Sequence, residues 1–169
     1  MLAAVIVADT EADRHREALR ALLYRGQVRL HWRDEGSQRR GDLIAAVCGL
    51  RHTGAVVIAA GMAPGRQERA RRKCIERLLR ELASRGIAEV TFERRHKDLD
   101  AHDRAMVAAL QRQQSLPAAL RASWQAAASE PLLWLPDIAA GAASLAETGD
   151  ETYWKELSKA FSVERFWLR

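Results

Sequence analysis

The sequence is short of cysteine: only Cys48 and Cys74 stand among its 169 residues, too few for a disulfide framework. Cys74 shares a helical face with Leu78 and Leu82, and Cys48 follows Ile44 and Val47, so both read as small core residues rather than ligands or nucleophiles. Also missing is any apolar run near the roughly 20 residues that a membrane span requires. The opening stretch Met1–Ala8 has no basic flank and breaks at Asp9, so it reads as a buried strand and a poor signal peptide. The expectation is a cytoplasmic protein with no membrane partner.

The usual catalytic signatures are absent too. No Gly-x-Gly-x-x-Gly follows a strand and no Gly-x4-Gly-Lys-Ser/Thr loop occurs, which removes the standard markers of dinucleotide and P-loop nucleotide binding. There is no Gly-x-Ser-x-Gly elbow, and the five histidines lack zinc-site spacing. Aromatic residues make up 6% and are too scattered to form a stacking platform for single-stranded nucleic acid.

What is present is a basic, core-forming chain. Lys and Arg number 27 against 22 Asp and Glu, a net charge of +5, and 48% of residues are hydrophobic. The charge favours an anionic partner, and the apolar content excludes general disorder. Residues 2–8 form a continuous strand-like run. Thr10 and Asp13 signal a helix start ahead of Ala18, Leu19, Leu22 and Leu23, and Gly26 ends it. Val28–Trp32 alternates like a strand, and Gly36-Ser37 opens a helix that turns Leu43, Ile44, Val47 and Leu50 inward. Gly54–Ala60 is apolar on both faces, as in the covered interior of a parallel or mixed sheet.

The clearest helix runs from about Pro64 to Arg85, with Ala70, Cys74, Ile75, Leu78, Leu79 and Leu82 as its inner stripe. Its outer face carries Glu68/Arg72, Glu76/Arg80 and Glu81/Arg85, each with the acid first, so its basic cluster reads as a solvated face. Then follow a strand at Ile87–Phe92, a helix at about Asp100–Gln113, a weaker strand at Leu120–Trp124 and a loop at 125–130. Leu132–Leu145 reads as a helix despite Pro136, Tyr153–Ala160 as a short one, and Phe161–Leu168 as an edge strand. This alternation predicts one domain over 1–169, a three-layer α/β fold with a core over about 2–145 and an added helix and edge strand over about 150–168.

Carboxylates at element boundaries are the chemical candidates. Asp34 and Glu35 follow the 28–32 strand, or else cap the next helix. Glu93 follows the 87–92 strand, beyond whose carboxyl end ligands collect in open α/β sheets, or else pairs with Arg94, Arg95 or a neighbouring helix. Asp137 interrupts a strongly apolar helix, where a lone acid needs a paired arginine or a bound cation. Glu35, Glu93 and Asp137, if convergent, would suit Mg²⁺ or Mn²⁺. Arg39 and Arg40, close to Glu35, are phosphate candidates, and His31 and Arg33 share one side of their segment.

The ordered segments His31-Trp32-Arg33-Asp34-Glu35, Glu93-Arg94 and Leu132-Leu133-Trp134-Leu135-Pro136-Asp137 with Ala140-Gly141-Ala142 resemble an uncharacterised bacterial family, frequent in actinobacteria, with an RNase H-like, integrase-type fold. Arg66–Cys74 and His102–Val107 fit the same pattern, and the resemblance covers most of 2–145. It implies a mixed sheet flanked by helices and a metal-dependent nuclease acting on nucleic acid. Asp137 resembles the acid on the last core helix and Glu93 the acid ending a central strand, both metal ligands; Glu35, with His31 and Arg33, matches the family's histidine-and-acid segment. Glu35 is the expected third ligand or water-orienting base, with His31 or Arg33 on phosphate.

Members of that family begin with a further strand bearing Asp-Glu-Ser, ahead of the one at 2–8. The sequence starts after it, and Asp9 ends a different strand, so the expectation is a domain one strand and one metal-binding acid short. Two alternatives remain: a non-catalytic α/β binding module, and a hydrolase of small phosphorylated molecules.

Overall fold

The structure, a computed structural model, describes residues 1–61 and 65–168. It is a mixed α/β fold. Strand β1 (Leu2–Ile6) runs antiparallel to β2 (Thr53–Ala60), with Leu2 opposite Val57 and Ile6 opposite Thr53. The carboxyl-terminal β5 (Phe161–Trp167) lies parallel on the other side of β2, Gly54 opposite Phe161. The sheet is therefore mixed and β5 is its edge. A second, two-stranded sheet pairs β3 (Glu89–Glu93) in parallel with β4 (Arg121–Gln125).

Strand β2 is apolar on both faces because helices cover both. Its Ala55 and Val57 meet Cys74, Leu78 and Leu82 of α3 (Gln67–Ser84). Val56 and Ile58 join Ile138, Ala139 and Ala142 of α5 (Trp134–Ala146), with Leu19 of α1 (Asp9–Arg20) and Leu43 and Val47 of α2 (Ser37–Cys48). The layers are α3, the sheet, and α1, α2 and α5. Helix α4 (Lys97–Arg112) packs Val107 and Leu110 with Ile75, Leu79, Phe92 and Trp124 around the β3–β4 pair. Tyr153–Ala160 contains the short α6 (Trp154–Leu157) and a 3-10 turn. Pro136 falls in the first turn of α5, where its missing N–H forfeits no helical hydrogen bond.

Four readings need correction or a boundary. Val28–Trp32 forms no strand: it runs extended and closes in a 3-10 turn at Trp32–Asp34. Leu30 and Trp32 are buried anchors, but side chains answer the backbone there, since Trp32 N–H donates to Asp137 and Trp32 C=O accepts from Arg40. Cys48 is exposed at the end of α2, whereas Cys74 is buried; partial desolvation of the Cys48 thiol and burial of the Cys74 thiol push both up in pKa. Glu76–Arg80 and Glu81–Arg85 form on α3 at 2.9 and 2.6 Å, while Glu68 reaches Arg95 instead. The expected start of α3 at Pro64 lies outside the described residues.

His52 ties the segment between α2 and β2 to the sheet. Its Nδ1–H donates to Leu50 C=O at 3.0 Å, its ring stands edge-on to Phe161, and its Nε2 is buried without a partner. Burial lowers its pKa below the ordinary 6.5. As pH falls through 6.5 the unfolded chain takes up this proton first, so stability declines below that pH until the folded-state pKa is passed. His52→Asn keeps a donor near Leu50 and is expected to flatten this limb of the stability curve, measured by urea unfolding at pH 5 to 7.5.

Candidate functional site

Between β1 and β3 the two sheets stand apart, and an open cavity of about 1460 Å³ runs through this gap and on past Leu50, His52 and Leu157. Glu93, the last residue of β3, and Asp137, in the first turn of α5, both line it. The amino end of a helix favours a carboxylate such as Asp137.

Both acids are held from one extended segment. Arg29 Nη1 lies 3.5 Å from Glu93 Oε1, both groups half-exposed. Two residues on, His31 Nδ1 lies 3.0 Å from Asp137 Oδ2, which also accepts the Trp32 backbone N–H at 2.8 Å. A carboxylate only accepts, so the proton sits on His31 Nδ1 and Nε2 is left for another partner. Arg29 and His31, two residues apart, each reach an acid that lines the cavity, whereas Arg33 falls in the 3-10 turn Trp32–Asp34. Arg33 is exposed.

Glu35 does not join them. Its Oε1 accepts from Gln27 Nε2 at 2.9 Å, its other oxygen faces Arg39 Nε at 3.9 Å, and its side chain is nearly fully buried. It closes the loop between α1 and α2. Arg39 donates to Leu22 C=O and lies over the Tyr24 ring; Arg40 donates to Trp32 C=O at 3.1 Å and lies over the Trp32 ring. Both guanidinium groups are spent inside the fold, on carbonyls and cation–π contacts that hold the 24–35 loop.

Four residues at the same cavity stand outside the sequence reading. Arg16 of α1 grips Glu130 through Nε and Nη2 at 2.9–3.1 Å, and Glu130 caps the turn into α5 by accepting Leu132 N–H. Glu130 foremost, then Asp13, holds Arg16 charged. Arg71 of α3 and Arg95 after β3 converge on Asp103 of α4 at 3.2 and 3.0 Å. Asp103 is 1% exposed. Arg95 stays charged although burial opposes it, because Glu68 and Asp103 outweigh that cost. A signal was present: Asp100, Asp103, Val107 and Leu110 share one helical stripe, which puts acids on a buried face.

Among the described residues no three His, Cys, Asp or Glu side chains stand close enough to share a metal ion, so the carboxylates do not fit a paired-metal centre. No described helix is long and apolar enough to cross a membrane. No family model, curated protein or solved structure matches the chain.

Proposed function

We propose that this is an RNase H-like, nuclease-type domain acting on the phosphodiester backbone of nucleic acid, with Glu93 and Asp137 as its acids. The observation that carries this reading is that acids 44 positions apart in sequence line one cavity, each held from the Arg29–His31 segment. Glu93 and Asp137 would hold one Mg²⁺ or Mn²⁺, which when bound would neutralise phosphate charge and activate water. The chain's own residues do the rest. His31, fixed by Asp137, offers Nε2 as a hydrogen-bond partner for phosphate or water. Arg33, beside it and exposed, neutralises a further phosphate. The edges of β1 and β3 that face the gap leave room for the further strand that the resemblance implies.

A second reading, a non-catalytic module that binds nucleic acid, is favoured because no third acid joins Glu93 and Asp137 in a metal-holding group among the described residues. Cleavage of duplex DNA, RNA and a DNA–RNA hybrid in Mg²⁺ and Mn²⁺ separates the two. Activity lowered about 100-fold in Asp137→Asn, which still accepts Trp32 N–H, supports the nuclease. Binding without cleavage in any metal leaves the module. In either case Arg33→Ala is expected to weaken binding and reduce the slope of log K against log salt by about 0.9, while Arg39→Ala lowers stability and leaves the slope unchanged.

A further inference from the structure

The cavity between the sheets has an unusual lining. Every residue from Met1 to Asp9 borders it on one side and every residue from Gly86 to Glu93 on the other. A cavity over the face of a strand meets alternate residues; one that meets consecutive residues on both sides runs between two strand edges. Strand β1 is hydrogen-bonded to β2 alone and β3 to β4 alone, so each turns an unpaired row of N–H and C=O groups to the gap. Neither a lipid nor a nucleic acid supplies complementary rows at strand spacing on both sides. A polypeptide strand does.

We infer that this slot accepts an extended polypeptide segment, hydrogen-bonded to β1 along one edge and to β3 along the other, which joins the two sheets into one. The inference stands without the nuclease reading. One strand residue fills about 160 Å³, from a rise of about 3.3 Å, a strand spacing of about 4.8 Å and a layer separation of about 10 Å. The whole cavity of 1460 Å³ equals about nine such residues but extends beyond the gap, and the edges of β1 and β3, 5 residues each, set the paired length at about six. One face of the segment meets Leu78, Leu79 and Leu82 of α3 and the other meets Leu132, Leu133 and Pro136, so apolar side chains suit both faces, beside the paired charges of Arg16, Glu130, Arg71 and Arg95. The β1 edge is open to it. Leu-Ala-Ala-Val-Ile is half-buried throughout and has none of the lysine, proline or inward charge with which sheets guard a true edge.

The segment comes from polypeptide outside these 169 residues. All five described strands are already paired, so none of them is the donor. A second copy is a poor donor, because its edge strand β5 would bring Glu164 and Arg165 against Leu78, Leu79 and Leu82 or Leu132 and Leu133.

The test titrates the full chain with a synthetic peptide of about six alternating valines and isoleucines between lysine pairs, and with the same peptide carrying a central proline, which cannot continue a ladder. Binding at least about tenfold tighter for the first, with slowed hydrogen exchange at Leu2–Ile6 and Glu89–Glu93, is the expected result. Equal binding of the two peptides, or none, overturns the inference. So does a peptide-free dimer in which the β1 amides are already protected, which makes a second copy the occupant.

Discussion

Asp103→Ala is expected to lower the free energy of unfolding by about 3 kcal/mol. The substitution strips two guanidinium groups of a shared carboxylate at 3.2 and 3.0 Å, and the space Asp103 leaves is 1% exposed. Arg71 and Arg95 are each 22% exposed, so water recovers part of the loss and keeps the cost near the lower end for a broken buried pair. Arg71 sits on α3, Arg95 follows β3 and Asp103 belongs to α4. The network thus joins the β3–β4 sheet to the helix that also covers β2. Urea unfolding measures the change, and a loss below about 1 kcal/mol would show the ion pairs to be no better than surface pairs.

The second large effect lies at Gly141 in α5. A Cβ built there collides with the indole of Trp32, which packs directly on the helix backbone. Gly141→Val is expected to cost about 2–3 kcal/mol by overpacking. It also moves the residue whose N–H anchors Asp137 and whose neighbour His31 contacts the same oxygen. Stability and the site fail together for that reason. Trp32→Leu makes room, so in the double variant the two costs are expected to fall short of their sum by at least about 1 kcal/mol. Strict additivity would mean that the collision is relieved elsewhere.

Local structure was legible where hydrophobic period decided it. The double-sided apolar run at Gly54–Ala60, the α3 stripe and the edge strand at Phe161 all form, because burial on the expected faces is what stabilises them. Period failed at Val28–Trp32. Leu30 and Trp32 alternate like a strand, yet no partner strand lies alongside, and Asp137 and Arg40 take the backbone groups a ladder would have used. The division into two sheets was not legible, since strand order is a tertiary property that no single segment carries.

The site shows the same split. An acid isolated in an apolar helix needs a partner, and Asp137 has one, although it is a histidine with a backbone N–H rather than an arginine. Glu93 and Asp137 line the same cavity, one at the end of a strand and one in the first turn of a helix. Glu35, Arg39 and Arg40 lie close in sequence to His31, but a short loop folds them onto Gln27, Tyr24 and Trp32. Proximity along the chain says nothing about which way a side chain turns. Arg29 was not legible either, because nothing local marks an arginine that will meet an acid from a distant strand.

The most direct test of the acid pair as a functional site is a calorimetric titration of the protein with Mn²⁺ and Mg²⁺, repeated for Glu93→Gln and Asp137→Asn. Both amides keep the shape of the side chain and remove its charge, and in Asp137→Asn the amide oxygen still accepts Trp32 N–H. The expected result is one saturable site in the unaltered protein, weakened at least about tenfold in each variant, with thermal unfolding little changed. Absence of saturable binding in the unaltered protein, or identical binding in all three, would contradict it.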